Sequence, residues 1–406
     1  MSTASSSLSQ ARILAICAAR VLLFATFMTV AATIPLLMAE WGLSAVQAGS
    51  IITSFTICYA VSLFGFGWIA DHLGAKRMVN ISAVTTAIAS LAFAFFAQDW
   101  LSALLLYGLA GLAQGGIYTP LIMVLSDEVA PARRGHAMGL LIASTSVGYA
   151  TSLGVAGIGI AIGGWQMAFI LCGVLPTIGG ILLLASLRPV HNRIHPRPHD
   201  GGVRQELIDN RQSRLLIGGY VAHSWELVGM WAWIPAFVAA AFTLQGMEGA
   251  GATVTGAYFS GVLHLFCATA ALTMGGLSDR AGRRPVLIAL AAGAMVLSFT
   301  LGWLVYAPLL ILLPLALLYA VLCLGDSPVL TTALSEAVRP THLGAVLAWR
   351  GLAGFGTGAI APLAAGLVFD VTVATGAGPA ISWGLTFATL GIGGLLALAS
   401  ALALRR

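Results

Sequence analysis

Long apolar segments separated by short polar loops run the length of this chain. A helix needs about 20 apolar residues to cross a hydrocarbon layer of roughly 30 Å. The hydrophobic positions divide into twelve such stretches, six on either side of a polar segment. The pattern predicts an all-α membrane protein with twelve transmembrane helices in two pseudo-symmetric six-helix bundles. The N-terminal half would comprise residues 1–187, the linker 188–214 and the C-terminal half 215–406.

The composition supports a membrane protein and gives its orientation. Of the 406 residues 59% are hydrophobic and 8% charged, too few polar groups to cover a soluble domain of this size. All Lys and Arg residues outside the helices fall in loops and tails on one side, which the positive-inside rule assigns to the cytoplasm. We therefore expect cytoplasmic termini, a lipid bilayer as partner, no nucleic acid and a place in the plasma membrane, as in the bacterial inner membrane.

One motif occurs twice, each time between two apolar segments. It combines glycines, an acid and cations in the order G-x-x-x-D-x-x-G-x-[KR]-[RK], which places a carboxylate at a helix end, a turn after it and positive charge beyond. The repeat indicates a duplicated chain. The motif residues are Gly67, Asp71, Gly74, Lys76 and Arg77 in the first copy and Gly275, Asp279, Arg280, Gly282 and Arg283 in the second.

This motif resembles the cytoplasmic signature between helices 2 and 3 of the major facilitator superfamily, which that family repeats between helices 8 and 9. The resemblance implies a monomeric carrier with its substrate site between the halves, near the bilayer midplane. In that family the loop acid lies near the start of helix 11 and closes the cytoplasmic side. Asp71 would take this role and Asp279 a weaker one near helix 5; alternatively, the loops only fix short turns.

The chain departs from the family pattern at two positions. Tyr107 stands where many proton-coupled members carry an arginine, so coupling through that arginine is excluded. Tyr149 follows Gly148 where drug antiporters of the family typically have proline, which weakens the prediction of drug antiport.

Four ionisable side chains fall inside predicted helices: Arg20, Glu226, Asp326 and Arg350. A charge within the bilayer costs at least about 2.5 kcal/mol, so such residues usually face a cavity and act there. The two arginines could hold an anionic substrate while an acid exchanges protons. Alternatively, the four could form gates or structural ion pairs, and Arg350 could extend its charge to the cytoplasmic surface.

Helix 7 contains further candidates. His223 and Glu226 are three residues apart and share a helix face, so the imidazole could relay the proton of the acid. His264 in helix 8 is a second possible relay, or a histidine satisfied by a neighbouring helix. Trp225 would line the cavity, whereas Trp231 and Trp233 are expected in an aromatic belt at the outer membrane surface.

Three other polar side chains could bind substrate, with core packing as the equal alternative: Gln114, Tyr118 and Tyr149.

The sequence predicts no metal site and no cofactor. His191, His195 and His199 have helical spacing, but Pro196 and Pro198 interrupt a helix there. The cysteines form no C-x-x-C pair and are expected to be buried apolar residues in helices. They are Cys17, Cys58, Cys172, Cys267 and Cys323.

These observations predict a secondary transporter that moves a small organic anion or zwitterion by alternating access, coupled to protons or another ion. The alternative is an efflux pump for amphipathic or cationic drugs, with Glu226 and Asp326 as cation sites and Trp225 for stacking. A membrane sensor without transport is a third hypothesis. The sequence holds neither a nucleotide-binding P-loop nor a hydrolase or metalloprotease motif, so no enzyme is predicted.

Overall fold

The computed structural model describes residues 8–194, 202–247, 249–339 and 341–405. Across these ranges the chain forms helices and no strand. The helices are α1 Gln10–Leu23, α2 Thr29–Trp41, α3 Ala45–Leu73, α4 Ala75–Phe96, α5 Trp100–Gln114, α6 Tyr118–Glu128, α7 Pro131–Ser186, α8 Gly202–Ile208, α9 Arg211–Leu244, α10 Ala250–Ala281, α11 Arg283–Leu301, α12 Leu309–Ala337, α13 Leu343–Gly358, α14 Ala361–Ala374 and α15 Pro379–Ala403.

Among the described residues, ten helical segments are long and apolar enough to cross a membrane. The longest of them, Arg133–Ser186, is broken at Gly163 and Gly164, whose backbone is not helical. Turns at 24–28 join α1 to the shorter apolar helix α2. These helices are compatible with twelve membrane crossings. The number of crossings and the side of the membrane on which the termini lie stay predictions.

Large apolar side chains cover the outside of the helices. Phe96 and Leu272 are each 69% exposed and Leu310 is 88% exposed. Soluble proteins rarely present a continuous apolar surface of this kind. The exposed residues therefore lie where lipid would cover them, as the composition predicted.

The duplicated motif forms the same local structure twice. In each copy one glycine ends a helix and starts the next: Gly74 between α3 and α4, and Gly282 between α10 and α11. Both glycines have a φ of +89°. This left-handed backbone is unfavourable for residues with a Cβ, which explains why glycine occupies both positions.

Neighbouring side chains satisfy the backbone where α1 passes into α2. The Tyr107 hydroxyl donates to the carbonyls of Thr26 and Phe27 at 3.0 and 2.6 Å, and Gln114 Nε2 donates to the Leu23 carbonyl at 2.6 Å. Within a bilayer, irregular backbone is tolerated only where protein groups or a cavity satisfy it. The break is therefore a stable part of the fold and brings main-chain atoms to the centre of the helices.

The helices before and after α8 meet along an interface that we call the seam. On one flank α3 packs against α13 and α14, and on the other α7 packs against α10. Gly49 lies against the carbonyl of Pro362, and Gly366 against that of Ala45, so closely that a Cβ would overlap the opposite backbone. Small residues thus permit the close helix contact, as in other membrane proteins.

Asp370 closes one end of the seam. Its two carboxylate oxygens accept the backbone N–H groups of Ala45 and Val46 at 2.7 and 2.8 Å, at the first turn of α3. An acid at a helix N-terminus is favoured by the helix dipole and by the unpaired N–H groups there. One residue of α14 therefore holds the start of α3 across the seam.

At the opposite end, the first residues of the linker contact the loop between α3 and α4. Lys76 Nζ donates to the Val190 carbonyl at 2.6 Å, and Asn192 bridges the Leu73 carbonyl and the Arg77 N–H. His195 and His199, together with Pro196 and Pro198, lie outside the described residues. The first copy of the motif is thus tied to the chain that follows α7.

A second contact fixes the short helix α8, which the sequence pattern did not predict. Glu206 accepts from Asn210 Nδ2 at 2.9 Å and pairs with Arg339 Nε at 2.6 Å. These hydrogen bonds, from Asn210 first and then Arg339, lower the pKa of Glu206 below its ordinary value. The linker end is therefore attached to the loop after α12.

The contact of Asp370 generates a prediction. In Asp370→Ala the seam loses two charge-assisted hydrogen bonds at one end, which should favour conformations that are open there. A cysteine placed at Thr56, which is buried beside the seam, in a Cys58→Ser background should react with a membrane-impermeant maleimide at least about tenfold faster.

Asp99→Ala is the matched control, because Asp99 accepts the N–H of Ser102 at the first turn of α5, within one half of the chain. Equal labelling rates in Asp370→Ala and in the unsubstituted background would show that this contact does not hold the seam closed.

Candidate functional site

Arg20 is buried in α1 beside the seam and is 1% exposed. One guanidinium nitrogen donates to the Leu141 carbonyl at 2.5 Å and to the Ser144 hydroxyl at 2.8 Å. The guanidinium carbon lies 4.7 Å from the ring centre of Phe24 and 4.8 Å from that of Tyr118. All of these partners are neutral, so the positive charge is held without a counter-ion from the described residues.

Arg350 in α13 has a similar environment on the other side of the seam. Its guanidinium donates to Thr331 Oγ1 at 2.9 Å and lies 4.1 Å from the ring centre of Tyr220. It is half-buried, and its Nε has no partner within the described chain. An aromatic face and a hydroxyl thus hold its charge. The alternative that Arg350 extends toward the membrane surface stays untested.

Tyrosines connect the two cations. Tyr118 contacts Arg20 and is within electrostatic range of both Tyr220 and Arg350. Tyr59 is likewise within range of Arg20, Tyr118 and Tyr220. Phenol side chains combine an apolar ring with a hydrogen-bonding group, a combination common in ligand sites. The two arginines and these tyrosines form what we call the arginine site.

Two other predicted residues border the arginine site. Tyr149 is buried, and its ring lies 4.6 Å from that of Phe27 and 6.0 Å from that of Phe24. Gln114 is 1% exposed and donates to the Leu23 carbonyl, while its Oε1 has no partner in the described part of the chain.

A second polar cluster lies inside the C-terminal half and contains both intramembrane acids. His223 Nδ1 of α9 is 2.7 Å from Asp326 Oδ1 of α12, and both side chains are less than a tenth exposed. Glu226 faces the hydroxyls of Ser298 and Tyr319, which are 3.0 Å apart. We call these five residues the acid cluster. The imidazole of His223 contacts Asp326, and Glu226 uses hydroxyl partners. A proton relay between His223 and Glu226 stays a prediction.

Helix α9 links the arginine site to the acid cluster. Tyr220, His223 and Glu226 follow one another at three-residue steps, which keeps them on nearby faces of the helix. The ring of Tyr220 contacts Arg350 and lies 5.6 Å from the ring of His223. A displacement of Arg350 would therefore act on His223 through one intervening ring.

The tryptophans of α9 are placed differently from the expectation. Trp231 is 7% exposed and Trp233 is 1% exposed, so the prediction of a surface belt is wrong for both. Trp233 Nε1 donates to the Pro362 carbonyl, and the Trp231 ring lies 5.1 Å from Tyr149 and 5.7 Å from His264. The helix runs on to Leu244, which leaves both indoles deep within the bundle. Trp225 Nε1 donates to the Thr389 carbonyl of α15 at 3.0 Å.

The motif residues are distributed between two networks. Asp71 is buried and makes contacts within the protein, while Lys76 and Arg77 bind the chain after α7. In the second copy Arg283 pairs with Asp279 at 2.5 Å and with Glu336 at 2.8 Å. A role of the motif in gating remains a prediction.

The remaining motif residues are placed as follows: Gly67 packs against Thr119, Arg280 is exposed, and no heavy atom lies within 4 Å of a Cβ built at Gly275. The five cysteines lie in helices; four are buried, as expected, and Cys58 is half-buried. Over the described ranges no group of three metal-binding side chains occurs.

Sequence reasoning missed several residues of these sites, namely Ser144, Tyr220, Ser298, Tyr319 and Thr331. For Tyr220 a signal existed, because it lies three residues before His223 on the same helix. The others come from different helices, and only tertiary packing brings them to the charges.

Long apolar helices with a lipid-facing surface and polar sites at and beside a central seam define a multi-pass α-helical membrane protein. A family model described as Major Facilitator Superfamily matches residues 16–349. The chain belongs to this superfamily, which confirms the resemblance of the duplicated motif. Together with its bacterial relatives, this places it in the plasma membrane.

Two curated relatives are similar in sequence. The probable sulfoacetate transporter SauU of Cupriavidus necator is 27% identical over 286 residues, which cover 64% of this chain and 63% of that protein. The hexuronate transporter of Escherichia coli K12 is 29% identical over 204 residues, 50% of this chain and 44% of that protein. The chain thus matches less than two thirds of the length of either relative.

Solved structures show the same fold at low identity. A bacterial homologue of the human lysosomal transporter Spinster, in an inward-facing and unoccupied conformation, superposes with a TM-score of 0.76 at 13% identity and covers 99% of this chain and 96% of its own. A point mutant of the nucleoside transporter NupG gives a TM-score of 0.77 at 14% identity and covers 97% of this chain and 100% of its own.

The acid cluster generates a prediction on stability. Glu226 and Asp326 are close enough to interact electrostatically, and His223 is in contact with only one of them. Glu226→Gln replaces a buried acid beside a second acid with an uncharged amide of the same shape, so the Tm of the purified protein should be unchanged or higher. Asp326→Asn deprives His223 of its carboxylate partner and should lower the Tm by several degrees, about 2–4 °C per kcal/mol. The opposite order of the two variants would contradict this description of the cluster.

Proposed function

We propose that this protein is a secondary transporter that moves small organic anions across the plasma membrane by alternating access. The proposal rests on the contact partners of the two arginines at the seam. Arg20 and Arg350 have only neutral partners, and neither is in an ion pair within the described chain. Buried charge is costly unless an opposite charge or strong hydrogen bonds compensate it. An anionic substrate would supply this compensation.

The similar proteins support the same substrate class. Two of them are named as transporters of sulfoacetate and of hexuronates, and another as a probable hexose phosphate transport protein. All of these compounds are small and carry an acidic group on an organic skeleton. Membership in the superfamily likewise favours a transporter over an enzyme.

The placement of the acids gives the cationic-drug alternative less support. A pump for lipophilic cations would need carboxylates at the substrate site, but Glu226 and Asp326 lie within the acid cluster of the C-terminal half. Trp225, the expected stacking residue, uses its N–H to bind α15. The seam presents cations, which would repel such a substrate.

We further propose that the acid cluster couples transport to protons. Its carboxylates are buried, a histidine contacts one of them, and Glu226 Oε1 has no hydrogen-bond partner among the described residues. Intramembrane acids of this kind often form proton relays. Because α9 connects the cluster with Arg350, binding of an anion at the seam would alter the potential and the geometry at His223.

The substrate class can be tested by ligand-induced stabilisation. Libraries of organic anions, zwitterions and lipophilic cations are added to the detergent-purified protein, and the Tm is measured. An anion should raise the Tm, because a ligand that binds the folded state stabilises it by mass action. This stabilisation should disappear in Arg20→Ala and in Arg20→Gln, whose amide can still bond to Ser144.

Arg12→Ala is the control, since Arg12 is an exposed cation on the same helix. Stabilisation by lipophilic cations that survives the Arg20 substitutions, with no response to anions, would refute the proposed substrate class.

Coupling can be separated from binding in proteoliposomes. Glu226→Gln and Asp326→Asn should lose uphill uptake driven by an imposed pH gradient and keep substrate counterflow, because exchange needs no net proton movement. Asp209→Asn, which changes an exposed acid within the linker, should retain both activities. Undiminished uphill uptake in both cluster variants would exclude the acid cluster as the coupling site.

A further inference from the structure

The side chains of Trp231, His264 and Tyr149 meet at the seam, beside the arginine site. Their ring centres lie 5.1 to 5.7 Å apart, and each comes from a different helix: α9, α10 and α7. Trp231 is 7% exposed and His264 is 1% exposed. Neither residue is part of the arginine site or of the acid cluster.

Both side chains carry a buried polar atom with no hydrogen-bond partner in the described part of the chain, namely Trp231 Nε1 and His264 Nδ1. An indole N–H only donates, whereas a neutral imidazole offers one donor and one acceptor. A buried polar group without a partner is unfavourable, so native proteins rarely retain two such atoms close together without a reason. A ligand oxygen would satisfy both.

Trp231 also lines a small cavity in the seam. The other walls come from Phe27, Met28 and Thr56 of the N-terminal half and Phe355 of the C-terminal half, together with neighbouring apolar side chains. The ring of Phe27 stacks beside Phe24, which contacts Arg20. Aromatic faces therefore run from the cation to the indole.

Helix α7 contacts both Arg20 and the pair of Trp231 and His264, which we call the two poles. Arg20 bonds to Ser144, and Tyr149, which contacts both Trp231 and His264, lies five residues further along the same helix. Five residues of helix span roughly 7.5 Å. This rise separates Ser144 from Tyr149 along α7, and an acid of about six carbons is a probe of similar length.

We propose that Trp231 and His264 form a neutral hydrogen-bonding subsite that takes a hydroxyl or carbonyl oxygen at the far end of a small organic acid. The inference rests on the proposed anion site, whose arginines would hold the acid group. The subsite discriminates between anions of equal charge and length by their distal polar group, and Tyr149 forms the wall between the two poles.

The test compares hexanoate with 6-hydroxyhexanoate, which have the same charge and chain length and differ in one terminal hydroxyl. Their Kd values are measured by calorimetry on the full-length protein. The unsubstituted protein should bind the hydroxy acid about fivefold more tightly, the effect of one neutral hydrogen bond. 2-Hydroxyhexanoate, whose hydroxyl lies beside the acid group, should lack this advantage.

Trp231→Phe and His264→Phe should each abolish the preference for 6-hydroxyhexanoate and still bind hexanoate. Trp225→Phe is the matched control: it is the same substitution on the same helix, but that indole already donates to Thr389, so the preference should persist.

The outcomes separate the subsite from the proposed function. An equal Kd for hexanoate and 6-hydroxyhexanoate in the unsubstituted protein, or a preference that survives in both seam variants, overturns the subsite and leaves the anion site standing. If no acid binds the unsubstituted protein, the proposed anion site fails and the subsite fails with it. If one variant does not fold, the other variant and the comparison of the three acids on the unsubstituted protein still test the subsite.

Discussion

Charge held inside a membrane protein must be compensated, and this constraint organises the structure. The chain keeps its buried cations and its buried acids in separate places. Arg20 and Arg350 use aromatic faces, hydroxyls and a carbonyl at the seam, and cation–π contacts gain strength where water is excluded. None of these partners is an anion, so both cations are left without an opposite charge among the described residues. A fold that paired its four charges would have lost this property.

The acids satisfy the same constraint in another way. In the acid cluster, an imidazole and two hydroxyls surround the carboxylates, and Gly394 of α15 lets the Glu226 side chain approach that helix closely. Helix α9 spans both environments. It is also packed tightly on α13, since Gly354 and Gly358 lie against Ser224. A shift of α13, which carries Arg350, would therefore move α9 and the acid cluster with it.

Hydropathy and the duplicated motif were sufficient to predict the helical membrane fold and the superfamily, because both depend on local sequence. The intramembrane charges were also identified from sequence, since residue type and depth reveal them. Their partners were not, because Ser298, Tyr319 and Thr331 reach the charges only through packing between distant segments. Trp231 was misplaced for a related reason: the preference of tryptophan for membrane surfaces is a property of the residue type, and a long helix facing a seam overrides it.

Tyr107 provides neutral hydrogen bonds at a position where the family pattern has a charged residue. At this position, where many proton-coupled relatives carry an arginine, the phenol hydroxyl binds the carbonyls of Thr26 and Phe27 and so stabilises the break between α1 and α2. An arginine here would bury a third cation in the N-terminal half and remove this neutral bridge. The N-terminal half is thus built to present one cation and an ordered backbone to the seam. In the C-terminal half the buried Asp326 contacts His223, and this is where our proposal places the coupling proton.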